Sequence, residues 1–137
     1  MTEQATGGTD LQHLSEQECW ERLARAEVCR LAFLADGRIE VVPVNVAPRD
    51  RRLLLGSRPG SIVSRAIGGA VTLEVDGWTD DDAWSVVVRG PLLPVPSDDD
   101  RAPVDTWALK DGAIRRIEVL PIEVQGRRFD RHRTTAA

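Results

Sequence analysis

Apolar positions in this chain recur at two spacings, one near its N-terminal end and the other over most of the rest. From Ser15 to Ala26, Cys19, Trp20, Leu23 and Ala26 form one stripe, with Glu21, Arg22 and Arg25 outside it. That spacing predicts an amphipathic helix packed on a core. Ser15 and Glu18 make an S-x-x-E capping box, and Leu14 and Cys19 hold the staple positions on either side of it.

From Val28 the period shortens to that of strands. Val28 to Ala35 and Arg38 to Val46 are two β-type runs joined by Asp36-Gly37, a strong hairpin signal. Leu31-Ala32-Phe33-Leu34 is apolar on both faces, which predicts a strand deep in a barrel wall. Pro43 cannot donate to a ladder, so it marks an edge or a bulge. After a turn at Pro48 to Arg51, Arg52 to Leu55 reads as a third strand. A short helix capped by Ser61 is predicted after Pro59-Gly60, ending at Gly68-Gly69. Val71 to Val75, Ala83 to Leu93, Ile114 to Val119 and Ile122 to Phe129 complete the strands, and Ser97 to Asp111 reads as a loop or short helix. The sum is a mainly β (α+β) domain: an antiparallel, Greek-key-like barrel, closed or half-closed, of six or seven strands with two or three short helices. The domain is predicted over 14–129, between a disordered N-terminal tail (1–13) and a basic C-terminal tail (130–137).

Length and composition narrow the function. A chain of 137 residues, 42% hydrophobic and 29% charged, fits one globular domain. The formal net charge of −4 gives it no general attraction to nucleic acid or anionic lipid. The Arg127, Arg128, Arg131, His132 and Arg133 cluster lacks interleaved aromatics and reads as a solvated tail or an interface patch. No apolar run nears the ~20 residues of a membrane span, and the polar first ten residues do not read as a secretory signal. A cytoplasmic location is the expectation. The runs Asp80–Asp82 and Asp98–Asp100 lack the ligand spacing of a calcium loop and read as solvated turns. Cys19 and Cys29 read as buried free thiols, and His13 and His132 lie near the two ends. A metal centre or a histidine-based triad is therefore not expected, and a bound cofactor becomes the natural source of chemistry.

Four segments, in order, carry a family resemblance. They are Glu18-Cys19-Trp20 with Val28-Cys29-Arg30-Leu31-Ala32; Glu40-Val41-Val42-Pro43-Val44-Asn45-Val46; Ser57-Arg58-Pro59-Gly60-Ser61, followed by Leu73-Glu74-Val75-Asp76-Gly77; and Trp84 to Gly90 with Val124 to Phe129. Together they resemble the bacterial pyridoxamine-phosphate-oxidase-like split-barrel proteins, particularly the branch that includes the nitroimidazole-resistance flavoproteins. The resemblance implies a homodimer with an FMN cofactor between two subunits, acting as an oxidoreductase on a small-molecule substrate. It also implies that the backbone of Val42, Pro43, Val44 and Asn45 lines the flavin ring. Trp84 is a candidate to stack near that ring, although large aromatics in β structure also serve as core or interface anchors.

The Ser57–Ser61 loop makes physical sense as a phosphate cradle. Gly60 permits close backbone approach, and Ser57 and Ser61 offer hydroxyls. In the family that the chain resembles, a lysine usually follows the serine or threonine of this loop, whereas this chain has Ile62. Its only lysine is Lys110, so Arg58 or Arg65 is the expected source of charge. Two alternatives to an FMN oxidoreductase stay open: a deazaflavin-dependent reductase, and a non-catalytic split-barrel protein without tight flavin binding.

Overall fold

The computed structural model describes residues 11–95 and 115–131. The chain runs β1 (Leu11–His13), α1 (Glu16–Arg25), β2 (Cys29–Ala35), β3 (Arg38–Val44), β4 (Ala47–Arg49), β5 (Arg52–Ser57), a 3-10 turn (Val63–Ala66), β6 (Ala70–Trp78), β7 (Asp82–Pro94), β8 (Arg115–Val119) and β9 (Glu123–Asp130). All ladders are antiparallel, in the order β3-β2-β6-β7-β8-β5-β4, with β9 also on β7 and β1 on β9. The sheet is mainly β and unclosed, a split barrel. Leu31, Phe33, Leu53, Leu55, Leu73, Val86, Val88 and Ile117 fill its interior. No described helix is long and apolar enough to cross a membrane.

Local signals explain most of these elements. The Ser15 side chain accepts from the Glu18 amide at 3.1 Å while Glu18 accepts from the Ser15 amide at 3.0 Å. Cys19 and Leu23 are the buried stripe of α1, with Trp20 and Ala26 packed beside them. At the β2–β3 turn, Asp36 and Gly37 have φ of 53° and 77°, the left-handed pair that a tight type I′ hairpin requires. The Asp80–Asp82 run lies in the β6–β7 turn, where Thr79 Oγ1 donates to Asp82 Oδ1 at 2.8 Å. Asp98–Asp100 and the expected loop at Ser97 to Asp111 lie outside the described residues.

The split comes from β7. One edge of this long strand pairs with β6. Its other edge pairs with β9 over Asp82–Arg89 and with β8 over Leu92–Pro94. The exchange falls at Gly90-Pro91, where the chain leaving β8 crosses: Leu120 donates to the Pro91 carbonyl and Ile122 to the Arg89 carbonyl. Pro91 has no amide to offer a ladder, and Gly90 leaves room for the crossing backbone.

Four expectations need correction. Nine strands form among the described residues, because Leu11–His13 pairs with β9 and Ala47–Arg49 pairs with β5. Both are three-residue strands, too short to show periodicity, and the first removes Leu11–His13 from the predicted tail. The helix expected after Gly60 is only a 3-10 turn, entered through Ile62 with no side-chain cap, so Ser61 is not its cap. The seven residues before Gly68, three of them β-branched (Ile62, Val63 and Ile67), cannot sustain an α-helix. Finally, β2 is not buried on both faces, since Leu34 is 65% exposed. Its inner face fills the barrel, but no described residue covers the other.

Candidate functional site

The two serines predicted to form a cradle do meet. Ser57 ends β5 on the strand's inward face and is buried, with its hydroxyl 2.8 Å from that of Ser61. The Ser61 amide donates to the Arg58 carbonyl at 3.1 Å, which curls the loop, and Gly60 holds φ +80° with open space where a side chain would stand. Ser64 Oγ donates back to the Ser61 carbonyl at 2.5 Å. Arg58 is exposed on this loop and has no partner among the described residues. The arrangement is two adjoining hydroxyls, a glycine corner and an uncommitted cation, a donor set suited to a phosphoryl group.

Arg65 and Ile62 lie elsewhere. The Arg65 guanidinium bonds Asp36 at 2.5 Å, on the tip of the β2–β3 hairpin. Ile62 packs against the barrel core, so the position where the resemblance implies a lysine serves as a hydrophobic contact.

The β3 residues are spread over different surroundings. Val42 and Val44 face inward and pack on the core. Pro43 is exposed on the outer face opposite Arg30. The Asn45 amide donates to the Glu27 carbonyl at 2.7 Å, locking the end of β3 to the link between α1 and β2. Among the described residues β3 pairs only with β2, so alternate backbone groups on its free edge have no ladder partner. Trp84 lies under the Arg22 guanidinium, 4.5 Å from the ring centroid. It borders a pocket of about 420 Å³ with Arg25, Val28 and Asp76. That pocket includes none of the Ser57–Ser61 residues, so Trp84 and the serine loop are not joined in one cavity.

Two features escaped the sequence. A groove of about 610 Å³ opens on the outer sheet face, lined by Ala32, Ile39, Gly68, Gly69, Thr72 and Ile122 among others. On the same face, Arg30 bridges Glu74 at 3.2 Å and Asp76 at 3.1 Å. Burial and the neighbouring Asp76 push the Glu74 carboxyl up to about 7. The residues of each group are far apart in sequence, so only strand register could reveal them.

Solved structures share this architecture. The FAD binding protein from Mycobacterium smegmatis is 30% identical, with a TM-score of 0.77 over 88% of this chain and 100% of its own. A FAD-binding protein from Mesorhizobium loti is 27% identical, with a TM-score of 0.74 over 89% of this chain and 98% of its own. A putative 5-nitroimidazole antibiotic resistance protein from Bacteroides thetaiotaomicron shares the fold at 15% identity, with a TM-score of 0.72 over 90% of each chain. No curated protein matches. The profile of the family described as pyridoxamine 5'-phosphate oxidase matches residues 15–128, which is nearly the whole of the barrel. With its motifs, its split sheet and that match in agreement, the chain belongs to the pyridoxamine 5'-phosphate oxidase family.

Proposed function

We propose that this protein is a flavin-binding oxidoreductase that holds the phosphate of a flavin nucleotide on the Ser57–Ser61 loop. The observation that carries the reading is the hydroxyl pair of buried Ser57 and half-buried Ser61, 2.8 Å apart, on the same loop as Arg58, which has no partner among the described residues. A bound flavin would supply hydride or electron transfer to or from a small-molecule substrate. The chain's part is binding and orientation. Ser57 and Ser61 donate hydroxyls to phosphate oxygens and Arg58 balances their charge. The free edge of β3 around Val42 to Asn45 offers backbone donors and acceptors to the ring. FMN is the form the sequence motifs imply, whereas the two nearer relatives named above are FAD-binding proteins.

The working unit in this reading is a homodimer. Leu34, Ile39, Val41 and Ile122 are exposed on the outer face of the sheet, at 65%, 79%, 59% and 80%. Leu34 stands opposite Ile39 and Ala32 opposite Val41, so the patch is continuous across β2 and β3. Such apolar strand surface calls for a partner, and a second copy offers the same face in return. A specific interface would bury at least ~1,000 Å² in total. A monomer in sedimentation at tens of micromolar overturns the dimer.

The test of the main reading is the absorbance of the purified protein followed by titration with FMN, FAD and a deazaflavin cofactor. Binding of FMN or FAD in the micromolar range supports it. Exclusive binding of the deazaflavin moves the protein to the second cofactor class. Failure of all three leaves the non-catalytic split barrel, the reading that Ile62 in the core favours.

A further inference from the structure

We infer that Arg115, at the start of β8, is the second cation of the phosphate site, paired across the strand ladder with the Ser57–Ser61 loop. The inference rests on the flavin-nucleotide reading and adds to it a residue 58 positions away in sequence from Ser57.

Strand register places it. Ser57 and Arg115 are direct partners in the β5–β8 ladder, following Leu55 with Ile117 and Leu53 with Val119. Those four residues belong to the barrel core, and side chains alternate faces along a strand, so Ser57 and Arg115 end the same inward-facing row. Directly opposed residues in such a ladder have β-carbons roughly 4.5–5.5 Å apart. A long, flexible guanidinium on Arg115 therefore reaches an anion resting on the Ser57 hydroxyl.

The charge balance requires a second cation. A phosphate monoester carries roughly −1.5 to −2 at neutral pH, and Arg58 alone supplies one positive charge. The other arginines near the loop are committed or turned away. Arg65 is ion-paired with Asp36, and Arg52 with Glu118 at 3.1 Å. Arg116 belongs to the opposite face of β8, partnering Gly56. Arg115 is exposed and has no partner among the described residues. Arg58 and Arg115 thus approach the serine pair from two different chain segments, one from the loop and one from the neighbouring strand. That geometry selects a phosphorylated flavin over the unphosphorylated one.

Fluorescence titration of riboflavin, FMN and FAD into wild type, Arg115→Gln and Arg115→Lys tests this. The expected result is a loss of about tenfold or more in nucleotide affinity for Arg115→Gln, with riboflavin unchanged and most of the loss recovered in Arg115→Lys. The tighter of FMN and FAD identifies which phosphate source the site takes. Equal nucleotide affinity in wild type and Arg115→Gln overturns the inference while leaving the flavin reading intact. If wild type binds no flavin, inorganic phosphate followed by phosphorus NMR line width becomes the probe. Broadening that disappears in Arg115→Gln keeps the anion site while the flavin reading falls. Broadening independent of Arg115, or none, overturns the inference.

Discussion

The guanidinium of Arg65 lies 2.5 Å from a carboxylate oxygen of Asp36, tying the turn after the serine loop to the tip of the β2–β3 hairpin. In the proposed reading this contact engages Arg65 and leaves Arg58 to the phosphate. Both partners are more than half exposed, so the pair contributes under about 1 kcal/mol to stability. Arg65→Ala is expected to bind FMN or FAD as wild type does, whereas Arg58→Ala binds either about tenfold more weakly. Parallel flavin titrations check this. Equal losses in the two variants would return Arg65 to the site.

Gly90 is the joint on which the split turns. A β-carbon there would stand 1.9 Å from the Leu120 carbonyl oxygen, an atom held in place by the bond from the Leu120 amide to Pro91. Neither backbone can yield without breaking the crossing between β7 and β9. Gly90→Ala is expected to cost about 3 kcal/mol or more, or to prevent folding. Gly37→Ala is the comparison, since its site is open and only the positive φ opposes alanine, at about 1–2 kcal/mol. Urea unfolding of the two variants decides the order, and a milder effect at Gly90 contradicts the packing argument.

Glu74 sets a pH dependence. Burial, with Asp76 beside it, raises its carboxyl from 4.5 to about 7 in the folded chain, so folding favours the protonated form. Its contribution to stability is fully present below about pH 4.5 and is lost as the pH rises towards 7. Relative to Glu74→Gln, wild type should therefore lose stability across that window and change little above it. Unfolding midpoints for both proteins between pH 4 and 8 measure this, and parallel curves would refute it.

The two thiols should be inert in the native state. Cys19 and Cys29 are each 1% exposed, and burial is the main cause that pushes Cys29 up to about 11 and Cys19 above its ordinary value. The reactive thiolate is therefore scarce at neutral pH. A chromogenic disulfide reagent at pH 8 should detect no thiol in the folded protein and two in denaturant. Rapid reaction of either cysteine before unfolding would show that the core around it opens.

Neighbouring residues alone determined much of this protein. The Ser15–Glu18 capping box, the Cys19–Leu23 stripe, the Asp36-Gly37 hairpin and the Ser57–Ser61 hydroxyl pair all rest on contacts within a few positions, so local periodicity and turn chemistry suffice to write them. The family is equally legible, because ordered motifs span the whole barrel. Only the tertiary structure decided which arginine serves which partner. Arg65 meets Asp36 where a turn packs on a hairpin tip, and the β5–β8 pairing brings Arg52 to Glu118 and Arg115 beside Ser57, contacts that sequence spacing does not encode. It likewise decided that Leu34 is exposed, that Ile62 packs on the core and that Trp84 stands apart from the serine loop. Periodicity tells which residues share a face of one strand. What lies against that face depends on register between distant strands, and register follows from how all nine share the edges of a single unclosed sheet.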